Sequence, residues 1–302
     1  MNDAGTAPIH RSAQGLNILN HIGIAVCLSA AMMLAACSGL NTRHERGPET
    51  AQRAGWQLKT IHAGTFKFFT ASAGIKGRVL TIYIEGDGFA FSAADTPSMD
   101  PTPVNPVALE LATRHPGTGP VAYLARPCQY VDRDTKTCPD TYWTSGRYAP
   151  EVIDSMSDAV DQLKADAKAS DIILVGYSGG GAVATLLAER RKDVTGLVTV
   201  AANLDVAEWT SVKHLTPLRQ SLDPASDTKP LTGLRQVHFH GAKDETVPPA
   251  VTKSFMSKLP KATPAKSIAV AGQTHQCCWT DIWHDLATRP DVTAIEGWVS
   301  GE

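Results

Sequence analysis

The chain has 302 residues, is 43% hydrophobic and carries 28 Lys and Arg against 30 Asp and Glu, a formal net charge of −2. That length supplies one sizeable core, and the balanced charge lacks the basic excess of a nucleic-acid binder. No internal repeat or low-complexity tract interrupts it.

The first segment reads apart from the rest. Residues 22–36 are apolar or small apart from Ser29, too short to span a bilayer comfortably and suited to the apolar region of a signal peptide. Leu34-Ala35-Ala36-Cys37 resembles the bacterial lipobox. The resemblance implies cleavage after Ala36 and lipid on Cys37. With Ser38 next, it implies sorting to the outer membrane, facing the periplasm. An ordinary cleaved signal or an uncleaved anchor is the alternative. The stretch that follows lacks apolar periodicity and is expected to form a polar tether. The organisation expected is therefore a leader over 1–36, a lipidated N-terminus and tether over 37–54, and one domain over 55–302.

Residues 56–62 and 66–71 read as two strands around an Ala63-Gly64 turn. Val79-Leu80-Thr81-Ile82-Tyr83-Ile84 is a stronger strand and runs into Glu85-Gly86-Asp87-Gly88-Phe89. A proline-punctuated loop (101–106), a short helix (107–114) and a strand (121–125) follow. Residues 126–148 form a long polar and aromatic loop containing Cys128 and Cys138. Residues 149–169 read as a helix, with Pro150 suited to its first turn. Asp171 to Tyr177 is an apolar run of the buried-strand type, and residues 182–191 are good helix formers. Further strands are expected over 194–201, 236–240 and 267–271, with helices over 250–259 and 280–287. From residue 79 onward strands alternate with helices, the pattern of a parallel sheet covered on both faces.

Chemistry concentrates at the turns that follow strands. Gly176-Tyr177-Ser178-Gly179-Gly180 lies between a strand and a helix, the context of a nucleophile elbow. The glycines admit a tight, strained turn that leaves the Ser178 hydroxyl at a helix N-terminus. A serine hydroxyl needs a base, and the base needs a carboxylate. Asp244 and His275 supply these from turns directly after later strands, and strand C-termini of a parallel sheet open on one edge. Asp205, after the 194–201 strand, is a second possible acid.

His240-Gly241-x-x-Asp244-x-x-Val247-Pro248 and Gly272-x-x-His275 resemble the acid and histidine turns of α/β-hydrolases, and the order Ser, Asp, His is that of the fold. The resemblance covers roughly residues 55–302. It implies a mostly parallel central sheet with helices on both faces, and a serine hydrolase with Ser178 as nucleophile, His275 as base and Asp244 as acid. An esterase acting on carboxylic esters or thioesters fits best, while a peptidase or acyltransferase would use the same triad. The oxyanion hole needs two backbone donors: Gly179, and Asp87 or Gly88 from a loop where family members often carry His-Gly. Glu85 and Asp87 are departures there, expected to point away or be neutralised, with Arg126 the candidate partner. The unusual loop also admits a non-catalytic envelope lipoprotein that uses the fold as a binding module.

Neither a cofactor nor a metal is expected. His238-x-His240 puts two imidazoles on one side of a strand, but no third ligand is at hand. The partners expected are a small-molecule or lipid-like ester and, through Cys37, the membrane, with no nucleic acid. Trp143, Tyr148 and Phe89 are candidate acyl-pocket aromatics. The interval 202–234 is too short for a large lid, which leaves the 127–148 loop to cover the site. Export implies an oxidising compartment. With Cys27 in the leader and Cys37 under lipid, four cysteines remain. The local Cys128–Cys138 pair is favoured, leaving Cys277 and Cys278 as a vicinal pair or two thiols. The rival is a bridge between the two regions.

Overall fold

A computed structural model describes residues 43–131 and 136–302. The expected leader and the expected lipidation site, Cys37, lie outside the described residues. One sheet of eight strands organises the rest, in the order β1-β2-β6-β3-β7-β8-β9-β10. These are β1 (Gln57–Ala63), β2 (Phe66–Ser72), β3 (Val79–Ile84), β6 (Val121–Leu124), β7 (Asp171–Tyr177), β8 (Val194–Val200), β9 (Arg235–Gly241) and β10 (Ala265–Val270). Strand β2 runs antiparallel to β1 and β6, and from β6 across to β10 every pairing is parallel. A two-stranded ribbon, β4 (Phe91–Ala93) with β5 (Thr96–Pro97), stands apart.

The parallel strands are legible as apolar runs because both faces are covered. In β3, Leu80, Ile82 and Ile84 enter one core while Val79 and Tyr83 enter the other. The first core lies under α3 (Pro150–Ala167) and α4 (Gly179–Ala188) and takes Phe255 from α6 (Pro249–Lys258). The second lies under α2 (Val107–Ala112) and α7 (Trp279–Ala287), with Trp279, Trp283 and Trp298 fully buried. Pro150 occupies the first turn of α3, where its missing N–H costs nothing. The described residues also form helices α5 (Val206–Val212) and α8 (Pro290–Thr293). Because the strands are parallel, the loops after β3, β7, β9 and β10 emerge on one edge.

The N-terminal boundary departs from the sequence reading. The compact unit begins at His44, and residues 43–53 form a helix, α1, in what reads as tether. The helix is held mostly by polar contacts, so it lacks the apolar period that would have marked it. Arg46 Nη1 donates to the Val104 carbonyl at 2.7 Å and to Asn105 Oδ1 at 2.6 Å. His44 Nε2 lies 2.9 Å from Asp100 Oδ2. Only Ala51 enters the second core.

Candidate active site

Ser178 follows the last residue of β7 and caps the N-terminus of α4 with φ 51° and ψ −123°, a left-handed conformation that costs a non-glycine residue free energy. The strand and helix leave no room for relaxation. A Cβ at Gly176 would collide with the backbone of Gly180 and Gly181, and one at Gly180 with the carbonyls of Ile84 and Glu85. The tight turn thus pushes the Ser178 side chain out of the sheet edge.

Ser178 Oγ lies 2.9 Å from His275 Nε2, and His275 Nδ1 lies 2.8 Å from Asp244 Oδ2. Asp244 is immobilised on its other oxygen, where Oδ1 accepts from the Thr246 amide at 2.9 Å and the Val247 amide at 2.8 Å. The Asp244 side chain is fully buried and that of His275 nearly so. With Nδ1–H donated to the carboxylate, Nε2 is left as an acceptor for the serine hydroxyl. The His275 carbonyl is pinned by Tyr177 OH at 2.9 Å and Trp279 Nε1 at 3.0 Å. Ser178 and His275 open into a cleft of about 530 Å³ whose walls include Phe89, Phe91, Val104, Asn203 and Trp209.

No protein-family model matches the chain, and no curated protein matches its sequence. Solved structures match it in shape. An esterase of Pyrococcus furiosus superposes with a TM-score of 0.57 over 80% of this chain and 92% of its own, at 12% identity. Est1E from Butyrivibrio proteoclasticus gives 0.51 over 76% and 95%, at 15% identity. A proline iminopeptidase-related protein from Thermus thermophilus gives 0.54 over 81% and 99%, at 12% identity. The chain has the α/β-hydrolase fold.

Within the α/β-hydrolase fold the loop after β3 borders the elbow. A Cβ at Gly86 would sit 3.3 Å from Ser178 Cβ, and one at Gly179 would strike the Asp87 carboxylate. Gly88, with φ 69°, packs instead against the Pro101 carbonyl and Gln129. Among the described residues no acceptor takes the amides of Gly179, Asp87 or Gly88.

The acids of this loop are dealt with separately. Asp87 is neutralised: Arg126 Nη1 lies 3.2 Å from Oδ1 and Arg147 Nη1 2.7 Å from Oδ2, and Tyr148 OH donates to Oδ2 at 3.2 Å. Burial pushes this carboxyl up, but the two guanidiniums outweigh it and hold it below the usual carboxylate range. Among the described residues no arginine meets Glu85. It accepts from the Gly86 amide at 3.0 Å, the Ala108 amide at 3.3 Å and Tyr123 OH at 3.1 Å, and burial raises its carboxyl to about 7. Arg126 is thus the partner of Asp87 alone. Arg147 escapes a reading by motif, because nothing in the spacing of a long loop marks which arginine folds back.

Asp205, two of the aromatics and the long loop depart from expectation. Asp205 caps α5 by accepting from the Glu208 amide at 3.0 Å, and its other oxygen takes Ser254 Oγ and Lys258 Nζ, each at 2.6 Å. It does not meet His275. Trp143 and Tyr148 are core residues, with Trp143 Nε1 donating to the Ser98 carbonyl at 3.1 Å, so only Phe89 of the three aromatics reaches the cleft. Of the described part of the 127–148 loop, Arg147 alone lines the cleft, and that described part does not cover it. His238 is buried between Thr199 Oγ1 at 2.8 Å and Gln236 Oε1 at 3.1 Å. Burial lowers its imidazole to about 3. Cys128 and Cys138 form a disulfide with Cα atoms 5.8 Å apart. Cys277 is paired with Cys278 in the turn after His275, so no bridge joins the two regions.

Proposed function

We propose that the protein is a serine hydrolase that cleaves carboxylic esters or thioesters through an acyl-enzyme on Ser178. The observation that carries this reading is the unbroken relay from Ser178 Oγ through His275 to Asp244, at 2.9 and 2.8 Å, on a strained elbow. His275 Nε2 takes the hydroxyl proton as Oγ attacks the acyl carbonyl, and the buried Asp244 stabilises the imidazolium. The negative charge that develops on the carbonyl oxygen meets the free amides of Gly179, at the N-terminus of α4, and of Asp87, in the loop after β3. His275 then protonates the departing alkoxide or thiolate. A water activated by the same imidazole attacks the acyl-enzyme and releases the acid. The apolar walls of the cleft suit a small-molecule or lipid-like acyl or alcohol group.

The proposal includes location. Leu34-Ala35-Ala36-Cys37 supports a lipoprotein held at the bacterial outer membrane through lipid on Cys37. Intact mass of the membrane-extracted protein should show that lipid, and Cys37→Ser should abolish it.

A fluorophosphonate probe on the soluble chain from Ser38 tests the chemistry. Labelling and ester turnover are expected in the wild type. Ser178→Ala should lose both, with kcat falling on the order of 10⁶-fold, and His275→Ala should do nearly the same because the pair acts as a unit. An unlabelled wild type, or a Ser178→Ala variant with full turnover, would overturn the reading. Parallel anilide substrates separate an esterase from a peptidase.

A further inference from the structure

Two arginines meet one carboxylate beside the cleft, so the cluster of Asp87, Arg126 and Arg147 carries a surplus positive charge. The two differ in what they leave open. Arg126 does not line the cleft, and its Nη2 donates to the Arg147 carbonyl. Arg147 does line it, and among the described residues no other Lys or Arg does. Its Nε donates to the Thr144 carbonyl at 2.7 Å and its Nη1 to Asp87 at 2.7 Å. Among the described residues no acceptor takes Nη2. The side chain is 7% exposed. Its guanidinium lies 5.9 Å from the Phe91 ring centre and 5.8 Å from that of Trp209, both cleft walls.

This is a desolvated, oriented guanidinium with an unclaimed edge. The carboxylate fixes one side of the fork, the Thr144 carbonyl fixes its base, and the rings fix its plane. A wholly apolar substrate that fills the cleft would cover Nη2 and leave a charged donor unpaired, which is costly. A substrate oxygen bearing charge would instead gain a charge-assisted hydrogen bond in a low-dielectric site. The surplus is a single charge, which a carboxylate cancels and a phosphate dianion would exceed.

We infer that Arg147 is a specificity-determining residue whose Nη2 binds a carboxylate carried by the substrate, so that the preferred substrates are esters bearing a free carboxylate. This rests on the acyl-enzyme reading above.

The test compares chromogenic half-esters of dicarboxylic acids, over a range of chain lengths, with esters in which the free carboxylate is replaced by a primary amide. The wild type should favour the best half-ester over its amide partner by about tenfold or more in kcat/KM, carried mainly by KM. Arg147→Gln should bring that ratio close to one. Arg147→Lys, which keeps the charge but loses the fork, should fall between. A residue that merely ties the loop to Asp87 would lower both members of each pair together and leave the ratio alone. Fluorophosphonate labelling reports whether each variant retains an active fold. Should Arg147→Gln fail to fold, wild-type inhibition decides: aliphatic carboxylates should compete at least about tenfold better than matched primary amides, whichever side of the ester carries the charge. A labelled wild type that shows no preference for carboxylates overturns this inference and leaves the acyl-enzyme reading standing, as does a preference that survives in Arg147→Gln. An unlabelled wild type removes the acyl-enzyme reading and this inference with it.

Discussion

Asp244, Asp205 and Glu85 are all buried carboxyls at or just beyond strand ends, and their partners decide what each does. Asp244 spends one oxygen on two backbone amides and keeps the other for His275. Asp244→Asn should therefore fold yet lower kcat by roughly 10³–10⁴-fold, because the imidazole loses its orienting acceptor. Asp205 spends its oxygens on a helix cap, a serine and a lysine. Asp205→Asn should cost about 1–3 kcal/mol of stability in urea titration and leave kcat/KM within a few-fold. The reverse pattern would reassign the acid. Among the described residues no cation meets Glu85, and burial raises its carboxyl from an ordinary 4.5 to about 7. Between those values the folded protein holds a proton that the unfolded chain gives up. The stability contributed by the neutral acid is complete below 4.5 and is lost as pH rises through 7. Glu85→Gln cannot titrate, so relative to the wild type it should gain up to about 3 kcal/mol between about pH 5 and about pH 8. A constant difference across that range would mean that Glu85 stays ionised.

At the scale of elements, what could be read from sequence depended on what holds each one in place. Strands β3, β6 and β7 were legible because burial on both faces writes an unbroken apolar run. The elbow was legible because its glycines sit where strand and helix backbones nearly touch. Helix α1 was not, since Arg46 and His44 hold it by polar contacts to one loop. The β4–β5 ribbon was missed because its residues are exposed or half-buried and carry no alternation. Asp244 and His275 could be found because each follows a strand in a glycine-led turn, whereas the role of Arg147 arises from how a long loop returns to β3. The elbow gives the sharpest test at this scale. The atoms a methyl at Gly180 would meet are the carbonyls of Ile84 and Glu85, which belong to a central strand and its exit and cannot rotate aside. Gly180→Ala should therefore cost about 1–3 kcal/mol in urea titration and reduce fluorophosphonate labelling by displacing the loop that borders Ser178. A Gly180→Ala variant with wild-type stability and labelling would mean that the backbone at residues 84–85 yields freely.

For the molecule as a whole, α1 decides where the folded unit starts. A tether would be dispensable to the domain, and a chain beginning at Gly55 would match one beginning at Ser38 in stability and kinetics. The contacts argue otherwise. Ala51 is fully buried against the core shared with α2 and α7, and Arg46 fastens Val104 and Asn105, which form one lip of the cleft. His44 pairs with Asp100, whose carboxyl is driven up by burial and more than recovered by the His44 and Thr102 hydrogen bonds, to about 2. Loss of the helix removes these holds together and exposes apolar surface that Ala51 covers. The chain from Gly55 should melt roughly 5–10 °C below the chain from Ser38. Its KM should rise more than its kcat falls, because the lip loosens while the triad, set by β7, β9 and β10, keeps its geometry. Arg46→Ala in the longer chain separates the two effects. It should reproduce much of the rise in KM with a smaller loss of melting temperature, since Ala51 stays in place. Equal Tm and KM for the two chain lengths would return residues 43–53 to the role of a tether.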